Sequence, residues 1–398
     1  MRLFFPGRII YPDLPRSIIR SVEKERPMKI EQFQMERMQS TWENIVRFNL
    51  SESGVHPLAI GELLSDPSER EEFFGLELGY SQSNGTPELR RAISALYEGS
   101  SKDNVTVTIG TAEANFLASW MLTEPGDEVI MMLPNYMQLW GLFRSFGAEV
   151  RPLHLVEERS WSPDFDELRS AISPRTKVIA VCNPNNPTGA ILSDAEIDVI
   201  IDAARSAGAW ILADEVYRGA ELSGEISTGF WGRYEKLIVT SGLSKAYGLP
   251  GLRIGWIVST EEFAARAWAY HDYTTIGPSP ASDYLARVAL RPETRRGLLD
   301  RTRRILNANY PVLRQWVDSR GGQFSITDPK AGAIGYLKQN LGVESLAFVE
   351  RLRKQKSVLI VPGEHFIMPG FLRIGFGSNQ DYLRGGLSLI EELIAEIQ

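Results

Sequence analysis

The sequence predicts an α/β protein: a large domain with a mostly parallel seven-stranded sheet covered by helices, plus a smaller α+β domain formed from both chain ends. Three observations lead there. From about residue 104, short apolar runs rich in Val and Ile alternate with amphipathic stretches, which is the pattern of strands buried on both faces and joined by helices. After about residue 290 that alternation stops and a long helical pattern leads into strands and helices in mixed order. A length of 398 residues is also more than one core usually supports.

The runs expected as strands are 105–110, 128–134, 149–155, 177–182, 209–214, 236–241 and 253–258. Ser193-Asp194-Ala195-Glu196 reads as a capping box opening a helix through about Ser206. The second unit is expected to hold a helix at about 291–318, strands at 322–327 and 332–338, a helix near 343–356, strands at 357–361 and 371–376, and a last helix. Residues 28–75 carry helix signals without strand alternation and are expected to pack on this second unit. The expected division is therefore 76–289 for the large domain and 28–75 with 290–398 for the small one. Residues 1–27 carry five arginines, lack the apolar stretch of a secretory signal, and contain the acidic Asp13, Glu23 and Glu25, which a transit peptide avoids. They are expected to be an extension adding little to function, with Met28 a candidate start.

Composition narrows the functional classes. With 43% hydrophobic and 23% charged residues the chain is of ordinary globular type. A net charge of −7 argues against nucleic acid as the main partner. The single cysteine, Cys182, excludes an intrachain disulfide and suits a reducing cytoplasm. No apolar run approaches the roughly 20 residues of a membrane-spanning helix.

Six segments carry chemistry. In 240–256 (TSGLSKAYGLPGLRIGW), Lys245 follows a strand in a turn rich in Gly and Ser, and Arg253 opens the next strand. Such a lysine can form an imine and such an arginine can hold a phosphate, although a solvated surface lysine has the same local pattern. In 211–219 (ILADEVYRG) a strand ends at Asp214, with Tyr217 three residues on. Ligands of open α/β sheets sit at the carboxyl ends of strands, where a carboxylate can keep a ring nitrogen protonated; alone, Asp214 reads equally as a turn cap. In 182–190 (CNPNNPTGA), Asn186 lies in a turn at another strand end, poised to donate to a ring oxygen. Gly110, Thr111 and Ala112 lie between a strand and a helix start, where backbone N–H groups bind phosphate. Tyr136 in 132–140 can stack on a ring or simply pack. Arg373, inside the apolar run 371–376, needs an anion, either a substrate carboxylate or a structural partner.

Together these segments resemble the fold type I enzymes that use pyridoxal 5'-phosphate (PLP), the aspartate aminotransferase superfamily in its class I/II branch, over roughly residues 50–398. The resemblance implies that Lys245 of S-x-S-K is the Schiff-base lysine and that Asp214 of D-E-x-Y pairs with the pyridine nitrogen. It implies that Tyr217 and Asn186, the latter from N-P-T-G, share the ring hydroxyl. It likewise gives Arg253 to the phosphate, Tyr136 to stacking on the ring and Arg373 to the substrate α-carboxylate. The stretch 80–90 (YSQSNGTPELR) resembles the family segment whose tyrosine reaches the phosphate of the neighbouring subunit's cofactor; the resemblance gives that role to Tyr80 and so implies a homodimer. The chain departs from the pattern at Gly242, where many relatives carry a serine; Ser241 and Ser244 flank it and either is a candidate for the phosphate. Gly54 is expected near the substrate carboxylate, in a glycine turn whose neighbours Glu52, Ser53 and His56 are unusual. Residues 271–279 (HDYTTIGPS) are a further candidate for substrate contacts.

The implied reaction is transamination between an L-amino acid and a 2-oxo acid. Lyases, decarboxylases, synthases such as capreomycidine synthase, and PLP oxidases acting on arginine share the same motifs and stay open as alternatives. A non-catalytic PLP-binding regulator domain fits poorly, because no basic recognition helix precedes the matching region. A nicotinamide enzyme is disfavoured, since no G-x-G-x-x-G follows a strand and opens a helix. No metal site is expected.

Overall fold

A computed structural model describes residues 29–397 of the chain; the expected extension 1–27 and the candidate start at Met28 lie outside the described residues. All seven expected runs are strands of one sheet. Its order is Val105–Ile109, Ile254–Val258, Leu237–Gly242, Trp210–Asp214, Thr176–Cys182, Glu128–Leu133, Glu149–Val156 and finally Ser162–Pro163. The five strands from Leu237–Gly242 to Glu149–Val156 run parallel to their neighbours. Ile254–Val258 is antiparallel to both of its neighbours. The eighth strand was not anticipated; at two residues it is too short to show a period.

The strands Glu128–Leu133 and Leu237–Gly242 are buried along their whole length, which explains why apolar residues fill their middles on both faces. Alternation divides the side chains of the central strands between two layers. Val178, Ala180, Leu212 and Ile238 pack with Ala114, Leu117 and Ala118 of the helix Thr111–Leu122. Ile179, Val181, Ile211 and Val239 belong to the opposite layer, with Ile197, Ile200 and Ile201. Those three come from the helix Asp194–Ala207, opened by the expected capping box: the Ser193 amide donates to Glu196, whose own amide donates back to Ser193 Oγ. Gly208, at φ +63°, ends that helix in the left-handed region that glycine favours.

The C-terminal unit follows the expected order. The helix Pro292–Asp318 leads to a four-stranded antiparallel sheet ordered Phe324–Ile326, Ile334–Gln339, Phe371–Gly375 and Val361–Pro362. The helices Ser345–Lys356 and Gln380–Ile397 complete it. The run expected as one strand at 357–361 serves two sheets. Val358–Leu359 pairs in parallel with Phe48–Asn49, and Val361–Pro362 joins the four-stranded sheet. The N-terminal segment is thereby stitched to the C-terminal unit. Arg353 also stacks 3.8 Å from the ring centre of Trp42, at the end of the helix Gln34–Trp42. Among the described residues no helix is long and apolar enough to cross a membrane, and no cluster suited to a metal ion is present.

Candidate active site

The register of the sheet sets three polar residues in a row at the carboxyl ends of parallel strands. Cys182 pairs with Asp214, and Asp214 with Thr240. They abut a cavity of about 550 Å³ lined by Thr111, Ala112, Tyr136, Asn186, Asp214, Tyr217, Ser244, Lys245, Arg253 and Arg373. Residues spread over 262 positions of sequence (111 to 373) thus meet at one place, as the topology of an open α/β sheet requires.

Asp214 is only 5% exposed, and no cation pairs with it among the described residues. Asn115 Nδ2 donates to its Oδ2 at 3.1 Å, and the Val216 amide donates to its Oδ1 at 3.1 Å. Thr240 Oγ1 in turn donates to Asn115 Oδ1 at 2.7 Å, so a buried chain fixes the carboxylate. Burial pushes the Asp214 pKa upward, against the pull of these donors. Asn115 was not anticipated. It lies in the apolar stretch of a helix, and its partner is 99 residues away, so no local pattern announces it. Asn115→Leu is expected to leave both Asp214 Oδ2 and Thr240 Oγ1 unpaired, at a cost of about 1–3 kcal/mol. It is also expected to raise the Asp214 pKa further. The acid limb of the pH–rate profile then moves to higher pH, and a superimposable profile would contradict this role.

Lys245 is half-buried just beyond the strand Leu237–Gly242, its Nζ 2.7 Å from Glu52 Oε1. Burial works to lower its pKa, but the Glu52 charge and Tyr217 outweigh burial and hold the ammonium above its ordinary value. The same pairing, led by the Lys245 charge, holds the Glu52 carboxyl down to about 2. Glu52 Oε1 also accepts from the Ser53 and Gly54 amides, each at 2.9 Å. Gly54 is therefore beside Lys245, where a Cβ would lie 3.4 Å from the Ser244 carbonyl.

At the opposite end of the cavity lies a glycine cradle. A Cβ on Gly255 would meet the Gly110 carbonyl carbon at 2.3 Å, and one on Gly110 would meet the Arg253 guanidinium at 2.3 Å. Gly110, at φ +77°, caps the helix that starts at Thr111, and the buried Thr111 Oγ1 has no hydrogen-bond partner. Gly242 packs here too: a Cβ would sit 2.7 Å from Thr111 Oγ1, so the threonine hydroxyl occupies the space beside the position where relatives carry a serine. Of the two flanking serines only Ser244 lines the cavity, 3.5 Å from Arg253 Nη1. The Ser241 expectation is corrected: strand alternation turns its hydroxyl away, toward the Glu215 carbonyl at 3.3 Å.

Arg373 is 1% exposed. Its Nη1 donates to Asn186 Oδ1 at 3.0 Å and its Nη2 to the Ser51 carbonyl at 2.5 Å, leaving Nε without a partner. Burial lowers its pKa, yet an arginine stays charged. Tyr217 donates to Ser53 Oγ at 2.8 Å, and Tyr136 donates to Glu36 Oε1 at 2.7 Å.

Two expected contacts are absent from the cavity. His56 is exposed, its ring 3.3 Å from the Gly377 carbonyl. Residues 271–279 do not line it either. His271 and Thr275 instead bind the Glu113 carboxylate, at 3.1 and 2.8 Å, and Thr274 does the same. A buried acid thus captures the loop's polar groups. Tyr80 is 97% exposed and lies outside the cavity of its own chain. Conversely, Phe33, Glu36, Gln39 and Glu43 form one wall, contributed by the helix Gln34–Trp42 and its flanks. Their spacing of three and four along a helix was legible, but the helix's destination was not.

The family profile for aminotransferase class I and II matches residues 44–389. The chain belongs to this family. The chain is 32% identical to capreomycidine synthase of Streptomyces vinaceus over 86% of this chain and 89% of that protein. It is 28% identical to an aspartate aminotransferase of Thermotoga maritima over 80% and 84% of the two chains. Among solved structures, a PLP-dependent aminotransferase from Streptococcus suis superposes with a TM-score of 0.88 at 32% identity, covering 93% of this chain and 99% of that one. A PLP-dependent cyclase superposes with a TM-score of 0.83 at 26% identity, covering 94% and 100%. The family depends on PLP. The residues present suit that cofactor: a buried carboxylate without a cation, an orphaned hydroxyl in a glycine cradle beside Arg253, and a lysine between them.

Proposed function

We propose that this protein is an aminotransferase that moves the amino group of an L-amino acid to a 2-oxo acid. The reading is carried by one juxtaposition, Lys245 between Asp214, Arg253 and Arg373 in a single cavity. When bound, PLP supplies an electron-poor ring that accepts the electron pair left at the substrate Cα. Arg253 and the Thr111 and Ala112 amides would hold the phosphate, helped by the Thr111 and Ser244 hydroxyls. Asp214 would keep a proton on the ring nitrogen and Tyr136 would stack on the ring. Asn186 and Tyr217 would bind the ring hydroxyl. Arg373 grips the α-carboxylate, which orients the Cα–H bond toward Lys245. Lys245 Nζ takes the Cα proton and delivers it to the neighbouring carbon, serving as base and then acid.

The second reading, a PLP-dependent lyase, synthase or oxidase, is favoured by the similarity to capreomycidine synthase and to a PLP-dependent cyclase. Product analysis separates the two. Stoichiometric amination of 2-oxoglutarate or pyruvate is expected; release of ammonia or carbon dioxide, or a cyclised product, without amine transfer would select the second reading.

The active unit in this reading is a homodimer, with Tyr80 reaching the phosphate of the partner's cofactor. The exposed apolar residues Phe74, Leu78, Tyr80 and Tyr273 support a covered surface. Sedimentation is expected to give twice the 44.6 kDa chain mass; an active monomer would refute the arrangement. A reducing cytoplasm suits the single cysteine, which is buried and free.

A further inference from the structure

Three carboxylates on the cavity wall have no part in the chemistry above: Glu36, Glu43 and Glu52. Glu36, Gln39 and Glu43 recur at helical spacing and present one face of the Gln34–Trp42 helix and its end to the cavity. Among the described residues Glu36 receives only the neutral Tyr136 hydroxyl. Glu43 has no side-chain partner among the described residues, and burial together with the Glu52 and Glu36 charges pushes its pKa upward. Glu52 is paired with Lys245, the one lysine that the reading above commits to the cofactor. The other cations of the wall are Arg253, at the glycine cradle, and Arg373, whose two Nη atoms donate to the neutral Asn186 and Ser51. Counting Asp214, the described wall sets four carboxylates against three cations, an excess of one negative charge.

A second, independent feature indicates the ligand's orientation. Arg373 is almost fully buried, lines the same cavity, and has an unpaired Nε. A carboxylate received there leaves the rest of the ligand facing the acidic wall. We infer that the amino acid this cavity receives carries a cationic side chain, an ammonium or a guanidinium, held by Glu43 and Glu36 with Glu52 while its α-carboxylate lies on Arg373. This rests on the proposed PLP reading and deepens it. A cation relieves the repulsion among the three carboxylates, a neutral side chain leaves it unrelieved, and a second carboxylate adds to it.

The test is a spectral titration of the PLP-loaded protein with L-lysine, L-arginine, L-norleucine and L-glutamate, read on the cofactor's visible band. Lysine or arginine is expected to half-saturate at a concentration at least about tenfold below norleucine, with glutamate weakest. The stronger of the two names the ammonium or the guanidinium. Glu43→Gln is expected to narrow the cationic-to-neutral ratio roughly tenfold, and Glu43→Arg to favour glutamate over lysine. Norleucine or glutamate binding as well as both cationic amino acids would overturn the inference and leave the PLP reading standing. So would an absence of any band shift in a protein that still forms a borohydride-fixed adduct at residue 245. Loss of that adduct from the wild-type chain would instead remove the PLP reading beneath it.

Discussion

Lys245→Ala is expected to lose turnover by at least about 10³-fold, the scale of a removed acid–base group, and to lose the borohydride-fixed adduct altogether. Among the described residues no other lysine lines the cavity, so no second amine can form the imine. The variant should still fold. Lys245 is half-buried, and its removal leaves Glu52 with the Ser53 and Gly54 amides as donors. One consequence distinguishes this account from simple damage. The Lys245 charge is the chief cause of the low Glu52 pKa, so in the variant that carboxyl should titrate well above about 2. The sign follows from linkage. A depressed carboxyl pKa stabilises the fold above the unfolded value and is lost as pH falls through the folded one, while a raised lysine pKa stabilises below its unfolded value and is lost as pH rises through the folded one. Wild type should therefore hold an advantage over Lys245→Ala between those limits, narrowing toward both extremes. Thermal melts across pH check it, and wild-type turnover in the variant would refute the role.

How far the sequence reached depends on the range of the interaction concerned. Most of the seven strands were legible because each is short, apolar and buried on both faces, so burial writes its pattern locally; Glu149–Val156, at the margin of the sheet, is largely half-buried. Lys245, Asp214, Asn186 and Arg253 were legible for a related reason. Each sits in a turn fixed to the end of one of those strands, so reading the strand locates the residue. The choice between Ser241 and Ser244 is not legible in the sequence. Alternation separates Ser241 from Thr240 and Gly242, but which face meets the glycine cradle depends on Gly110 and Thr111, more than a hundred residues earlier.

The acidic wall was least legible. Its helix is held at the cavity by long-range contacts, among them the pairing of Phe48–Asn49 with Val358–Leu359, which spans 310 positions (48 to 358) and which neither segment announces. Residues 271–279 failed in the opposite direction. Their polar groups looked available for a ligand, and Glu113, buried at the start of the helix Thr111–Leu122, consumes them.

Asp214→Asn is expected to cost about 10²–10⁴-fold in turnover, the effect of removing one partner from a buried charge pair worth about 3–5 kcal/mol. Asparagine keeps the shape, and its carbonyl can still accept from Asn115 or Val216. What it loses is the charge that keeps a proton on the ring nitrogen. The stability effect should have the opposite sign. In the cofactor-free chain Asp214 is buried without a cation, and burial raises its pKa, so its ionised form destabilises the fold at any pH above that value. The cofactor-free variant should then melt no lower than wild type near neutral pH, whereas the gain in melting temperature on adding PLP should shrink. A residue kept for its fold would show the reverse, a lower melt without cofactor and intact turnover. The two signs together separate a carboxylate held in place for the ring from one that merely caps the strand.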